Sequence, residues 1–129
     1  VPDLNRQYGR RRARRAALSE SESEYLSQQR LGRIATSSPD GQPHVVPVVY
    51  EFDGEYLYFG GWNLKRSLKY RTILGNPRVA FVVDDLASVT PWSPRGIEIE
   101  GNAEVHEENG SPYVRIAISS ARSWGLERG

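Results

Sequence analysis

Apolar and polar positions alternate along most of this chain with a period of two, which predicts strands. Arg33–Ser37 is the first such run. Ser38-Pro39-Asp40-Gly41 follows as a turn, with Pro presetting φ at the second position and Gly suiting the last. His44–Phe52 is a longer Val-rich strand, and Pro47 inside it marks an edge or a bulge. Asp53-Gly54 is a two-residue hairpin signal, and Glu55–Gly60 alternates Tyr56, Tyr58 and Gly60 with Leu57 and Phe59. Arg78–Asp84 has VAFVV at its centre, and Gly96–Val105 sets Ile97 and Ile99 against Glu98 and Glu100. Tyr113–Ile118 and Arg122–Leu126 read as closing strands. Between these, Asp85–Arg95 reads as an irregular loop with two prolines, and His106–Pro112 carries the turn signal Asn109-Gly110.

Two segments break the period. A short helix precedes the first strand. Ser21 and Glu24 fit a capping box, with Ser19 and Glu22 as the alternative frame. Tyr25 and Leu26 face inward, and Gly32 ends it. Asn63–Leu74 reads as an inserted helix, with Leu64, Leu68 and Ile73 near one stripe and Gly75 closing it. The expected fold is mainly β: six to seven antiparallel strands with one inserted helix. In so short a chain this favours a closed barrel, because closure removes exposed edges.

The 129 residues suit one domain, and a core this small leaves apolar surface for a dimer to cover. Charged residues at 26% and hydrophobic ones at 38% exclude a disordered chain. A net charge of +1 argues against a polyanion binder as a whole, but the charge is uneven. Arg6, Arg10, Arg11, Arg12, Arg14 and Arg15 face only Asp3 in the first fifteen residues. Residues 1–18 therefore read as a basic, disordered tail, and 19–129 as the folded domain. The tail keeps a nucleic-acid-binding barrel open as a distant alternative, although no aromatic residues interleave the arginines to stack bases. With no cysteine, disulfides, thiolate metal sites and cysteine nucleophiles are excluded. No apolar run approaches the ~20 residues of a membrane span, and no apolar segment follows the basic start as in a secretory leader. A cytoplasmic location is the expectation.

The candidate chemistry is an anion cradle. Lys65 and Lys69 are four apart and share a face on a continuous helix, with Arg66 between them; a bound phosphate would relieve their repulsion, and helix N-termini already favour anions. The bland reading is a solvated basic face. His44 and His106 lie far apart, and no His/Asp/Glu cluster has metal-ligand spacing. There is no Gly-x-Ser-x-Gly elbow, Walker loop or Rossmann glycine pattern. Asp84 and Asp85 are adjacent, so on a strand they point to opposite faces and do not share a proton. Without acid–base machinery of its own, the chain points to a borrowed cofactor or to no catalysis. Trp62, Trp92 (in a proline-braced loop) and Trp124 are planes that can wall a flat heterocycle, or plain packing groups.

The order IATSSPDGQPHVVPVVYEFDGEYLYFGG, a Lys-bearing helix, NPRVAFVVDD and RGIEIEGNAEV resembles the pyridoxamine-phosphate-oxidase-like split-barrel superfamily over roughly residues 20–128. Within it the chain is most similar to the actinobacterial deazaflavin (F420)-dependent reductases. The proline-tryptophan loop and the ending SWGLE resemble the subgroup that includes dehydrotetracycline reductases. The resemblance implies a homodimer of FMN-binding-type split β-barrels with cofactor between the subunits. Lys69, eight residues before Pro77, matches the family's phosphate-binding lysine, and Ser67 and Lys65 fall at neighbouring phosphate contacts. The strand His44–Val48 matches the segment along the tricyclic ring. Backbone groups of Val46 and Val48 are expected to face that ring, with Pro47 between them. Gly60 and Gly61 match the small residues beside the ribityl chain, and Trp92, Arg95 and Trp124 approach from the partner subunit. Pyridoxamine phosphate oxidases carry Ser-Arg-Lys where this chain has Ser67-Leu68-Lys69, and an Arg-x-His-x-Arg pattern that is absent here, which counts against activity on pyridoxamine phosphate.

The function implied is an oxidoreductase using reduced F420 to deliver hydride to an unsaturated or quinone-like small molecule, with FMN as the alternative cofactor. Lys65, Arg66 and Arg71 are candidates to meet the cofactor's polyglutamate tail. Tyr50, Tyr58 and Arg95 are candidate proton donors.

Overall fold

Seven antiparallel strands form one sheet in the computed structural model of the chain, which describes residues 17–126. In chain order they are β1 (Leu31–Ser37), β2 (Pro43–Val49), β3 (Glu51–Phe52), β4 (Tyr56–Phe59), β5 (Arg78–Ser88), β6 (Ser93–Glu108) and β7 (Ser111–Trp124). Their spatial order is β2-β1-β5-β6-β7-β4-β3. The two edges of the sheet are thus consecutive in the chain, with only Tyr50 between them. The run expected as one strand over His44–Phe52 bends there, pairing with β1 before the bend and with β4 after it. The sheet curls until its ends meet at that bend and part on one side of it, so the barrel is split rather than closed. Tyr50 is pinned at the bend. Its hydroxyl donates to the Leu26 carbonyl at 2.6 Å, its N–H to the Arg30 carbonyl at 3.0 Å, and its ring meets Phe81 edge-on.

The period-two reading holds for the core. Ile34, Val79, Phe81, Val83, Ile97, Ile99, Val114 and Ile116 point inward and are buried, and their sequence neighbours face out. Pro47 lies on the edge strand, where a missing N–H is tolerated. Asn109 and Gly110 form the β6–β7 tip with φ of 52° and 82°, the geometry this pair favours.

Several expectations are corrected. Asp85–Arg95 is mostly strand: Asp85 pairs with Arg95 and Leu86 with Pro94, leaving only four residues in the turn. Pro94 is accommodated beside an irregularity in the register, where a lost ladder bond costs little. The two closing strands are one strand with a bulge, because Glu100 pairs with Ser120 but Gly101 with Ile118, so Ser119 is the extra residue. In the β3–β4 hairpin the Asp53 N–H donates to the Tyr56 carbonyl, so Gly54-Glu55 is the tip and Asp53 braces it. Asp53 Oδ1 accepts from the N–H groups of Glu55 and Tyr56, which hold its carboxyl below the usual range.

The first helix, α1 (Glu20–Gln28), uses the Ser19–Glu22 frame. Ser19 Oγ accepts from the Glu22 N–H, and Glu22, buried at the barrel end, accepts from the Ser19 N–H and the Ser123 hydroxyl. The second contact ties α1 to β7, which a Glu24 cap on the exposed side would not. Gly32 does not end α1 but lies in β1, where an added Cβ would sit 2.4 Å from the Phe81 ring. Leu18, placed in the tail by its sequence context, packs against the core. The arginine run Arg10–Arg15 lies outside the described residues.

Candidate functional site

The split defines a slot. Tyr50 N–H bonds back towards the start of β1, so even-numbered backbone groups of β2 face β1. Odd-numbered ones face away, and Pro43 and Pro47, which have no N–H, share that parity. In β3 the odd-numbered Asp53 bonds to β4, so the outward side of β2 is the side on which β4 would continue. Extending the pairing Glu51↔Tyr58 by one ladder step would put Val49 opposite Gly60. That pair does not form: β4 ends at Phe59, and the chain turns away through Gly61 (φ 120°) and Asn63 (φ 66°). A groove of about 530 Å³ opens there, walled by Val49, Phe59, Gly60, Gly61, Tyr113 and Glu108. An added Cβ at Gly60 would approach the Pro112 carbonyl to 3.6 Å, and one at Gly61 would meet nothing.

Beyond the slot stands the cationic entrance, in a form the sequence did not predict. The expected helix Asn63–Leu74 is two pieces: a 3-10 turn, Leu64–Arg66, and α2 (Leu68–Gly75). Ser67 between them is extended, with ψ 151°. Lys65 and Lys69 therefore do not share one helical face. Lys65 pairs with Glu107 at 2.9 Å, and that carboxylate raises the lysine's pKa. The Ser67 hydroxyl is also committed: it accepts from the Tyr70 N–H and donates to the Leu64 carbonyl. Lys69 remains, half-buried in the first turn of α2. Its own N–H and that of Leu68 have no acceptor among the described residues, as the start of a helix leaves them.

Charge pairing isolates this place from the rest of the surface. Arg33, Lys65, Arg95, Arg115 and Arg122 stand beside carboxylates. The side chains of Arg30, Arg66, Lys69, Arg71 and Arg78 have no partner among the described residues, and three of these five lie within residues 66–71. Free cations beside free helix N–H groups make an anion cradle. The residues present fit a phosphorylated planar group: cations for its arm, glycine-lined space for its chain, an unpaired strand edge for its ring.

Other expected residues fall elsewhere. Val46 and Val48 point inward, and their backbone groups are spent on β1 rather than left on the open edge of β2. Pro47 does lie on the open edge. Trp92, 67% exposed, sits at the tip of the β5–β6 hairpin, and Arg95, three residues on, pairs with Asp85 close to that tip. From Arg78, just past α2, to Ser88 the strand runs about 30 Å at ~3.3 Å per residue. The hairpin tip that carries Trp92 therefore lies a full strand length from the chain just past α2. Trp124 packs over Gly96, where an added Cβ would lie 2.6 Å from its ring. None of the three proton-donor candidates is poised to give up a proton. The Tyr50 hydroxyl is buried and bonded, and burial pushes its pKa up. The Tyr58 hydroxyl donates to Asp53, whose carboxylate raises its pKa. Arg95 is held by Asp85 in a two-point ion pair, under which Tyr25 also donates to Asp85 at 2.8 Å.

That cluster carries a pH signature. Hydrogen bonding from Arg95, with a further bond from Tyr25, lowers the Asp85 pKa against the opposing effect of burial. A depressed folded pKa adds stability that is complete above the unfolded carboxylate value and is lost as pH falls through the folded one. Asp85→Asn is therefore expected to lower the urea midpoint most at neutral pH, with the gap to wild type shrinking below about pH 4. A gap that stays constant to pH 2.5 would contradict this.

Sequence reasoning missed Val49, Tyr113 and Glu108 as groove walls. Only the parity of Pro43 and Pro47 hinted at which backbone groups of β2 stay open. It also missed an outward aromatic row, Tyr56, Tyr58, Tyr113 and His106, with Arg115 stacked 4.3 Å over Tyr56. Among the described residues no His, Asp and Glu group could hold a metal, and no helix is long and apolar enough to cross a membrane.

The curled seven-stranded sheet with a capped helix beside its split defines the class: a small split-barrel protein. The chain belongs to the pyridoxamine 5'-phosphate oxidase family, whose model matches residues 18–124. It is 35% identical over 119 residues to a 5a,11a-dehydrotetracycline/5a,11a-dehydrooxytetracycline reductase of Streptomyces rimosus, covering 84% of each chain. A conserved protein of Mycobacterium tuberculosis superposes with a TM-score of 0.71 at 27% identity, over 91% of this chain and 90% of that one. An F420 reductase superposes at 0.64 with 22% identity, over 81% and 98%, a likeness of fold.

Proposed function

We propose that the chain is an oxidoreductase that works as a homodimer, holds F420 with its phosphate at the α2 entrance and its ring in the slot, and reduces an unsaturated or quinone-like small molecule. One observation carries this: three of the five cations without a partner among the described residues, Arg66, Lys69 and Arg71, lie in or beside the first turn of α2. The likeness to a reductase over 84% of both chains supports the reaction class. When bound, a reduced deazaflavin supplies two-electron hydride transfer from ring carbon C5. The protein's part is to place and to exclude. Lys69 and the α2 N–H groups grip the phosphate, and Gly60 and Gly61 leave room for the chain beyond it. The barrel wall keeps water from one face, and alignment of this kind removes about 7–11 kcal/mol of barrier in well-oriented systems. Arg66 and Arg71 remain available to the acidic tail, whereas Lys65 must first leave Glu107.

FMN shares the flat ring and the phosphate, so the same cradle admits it. Side-by-side fluorescence titrations decide. The reading predicts a colourless purified protein that binds F420 more tightly than FMN. A yellow preparation that retains FMN would transfer the reading to flavin, and binding of neither would refute it.

The sheet's outer face supports the second copy. Val45, Ala35 and Ala80 form one outward row, and Pro47, Arg33 and Val82 the next. Val45 is 61% and Val49 70% exposed, an apolar face of the kind that marks an interface. A partner packed there would bring its Trp92 hairpin towards the cradle. Ala80→Arg, at the centre of the face, is expected to convert a dimer to a folded monomer in analytical ultracentrifugation. A wild-type monomer, or an undisturbed dimer, would exclude this surface.

A further inference from the structure

The groove beside the split carries the opposite charge from the cradle. Glu51, at the start of β3, and Glu108, at the end of β6, both line it, and among the described residues no Lys, Arg or His does. Both are exposed, and neither carboxylate has an ion-pair partner among the described residues. Cations on neighbouring elements are spent elsewhere, Lys65 on Glu107 and Arg115 on Glu104. Two aromatic planes stand in the same wall. Tyr58 and Tyr113 line the groove with ring centroids 6.1 Å apart and planes inclined at 48°. The Tyr58 hydroxyl donates to Asp53 at 2.7 Å, which feeds electron density into the ring and makes its face more attractive to a cation. Aromatic faces beside unpaired carboxylates are the chemistry that recognises a positive charge on a flat body.

We infer that the groove selects a cationic substrate: a flat conjugated molecule bearing a protonated amine, its ring laid against Tyr58 and Tyr113 and its ammonium paired with Glu51 and Glu108. This rests on the proposed function and names the substrate class that it leaves open. It also gives the two ends of the site different tasks. The α2 entrance attracts the anionic arm of the cofactor, and the groove repels it. A ring bearing a sulfonate or carboxylate meets Glu51 and Glu108 as like charges and is turned away, so charge alone sorts cofactor from substrate. Both carboxylates are exposed, so the selection acts most strongly at low ionic strength.

Three anthraquinones that differ only in one substituent at the same ring position test this. One carries an aminomethyl group, which is protonated at neutral pH, one a neutral hydroxymethyl group and one a sulfonate. Each is titrated by calorimetry into the full-length protein at low salt, with and without F420. The aminomethyl ring is expected to bind most tightly and the sulfonate least. Glu51→Gln and Glu108→Gln should each reduce the preference for the aminomethyl over the hydroxymethyl ring by about two- to fivefold, the effect of one exposed ion pair. The double variant should abolish it. Glu55→Gln removes a carboxylate of the β3–β4 hairpin that does not line the groove, and should leave the preference as in wild type. Raising the salt to about 0.5 M should shrink the wild-type preference. A sulfonate that binds as well as the amine, a preference that survives the double variant, or binding of none of the three rings would overturn the inference. The titration of wild-type protein with F420 judges the proposed function separately. Tight F420 binding with no charge preference leaves that function standing, and failure to bind F420 or FMN removes it whatever the anthraquinones do.

Discussion

Lys69→Ala is expected to weaken binding of a phosphate-bearing cofactor at least tenfold while leaving thermal stability unchanged. Two observations set those opposite outcomes. Lys69 has no carboxylate partner among the described residues, so the folded chain loses no ion pair when it is removed. A charge-assisted hydrogen bond contributes about 1.5–3 kcal/mol to binding, and each 1.4 kcal/mol is about tenfold in affinity. The loss should be larger than for Lys65→Ala, because Lys65 already neutralises Glu107 at 2.9 Å. Isothermal titration of both variants checks the order. Equal losses, or a larger loss at Lys65, would mean that the ion pair opens and that the cradle lies nearer the 3-10 turn.

Gly101→Ala is the second large effect, and it acts on the fold. The Cβ it adds would lie 2.3 Å from the Ala117 carbonyl oxygen and 3.1 Å from an Ile116 methyl. The nearest atom is backbone in the longest hairpin of the sheet, at the bulge made by Ser119, so neither strand yields easily. Overpacking of this kind costs about 1–3 kcal/mol and occasionally more, and a domain of this size then melts roughly 5–15 °C lower. Gly60→Ala is the matched control: its nearest contact is 3.6 Å, and stability should hardly move. A melting temperature for Gly101→Ala within a degree or two of wild type would show that the bulge relaxes.

The difference between these glycines was not legible in the sequence, and the reason is general to this chain. Period-two patterning shows which residues of a strand face the core, because burial depends on the strand's own alternation. It therefore placed Ile97, Ile99, Phe81 and their neighbours correctly. Where a strand stops is set by its partner. Asp85–Arg95 read as loop because its prolines and acids are poor strand formers, yet Asp85 and Arg95 face each other across the ladder and bond. The two halves of β7 read as separate strands because Ser119 shifts the period, and only β6 opposite shows that the shift is a bulge. The cradle was legible as composition, since lysines and arginines crowd residues 65–71. Its division of labour was not. Ser67 breaks the helix by capping it, and a residue far along the chain, Glu107, takes Lys65 out of the set.

The split itself follows from the same logic. Val46 and Val48 look like ring contacts in a strand read alone, but parity against β1 turns their backbone groups away and leaves Val45, Pro47 and Val49 on the open side. The resemblance pointed to β2 as a strand, and pairing shows which of its backbone groups stay open.

A crystal structure of the protein grown with F420, and in parallel with FMN, tests the central claim most directly. The account predicts the phosphate within hydrogen-bonding distance of the Lys69 ammonium and the Leu68 and Lys69 N–H groups, with the ring extending into the slot between Val49 and Gly60. Density for either molecule anywhere else, with the α2 entrance empty, would contradict it.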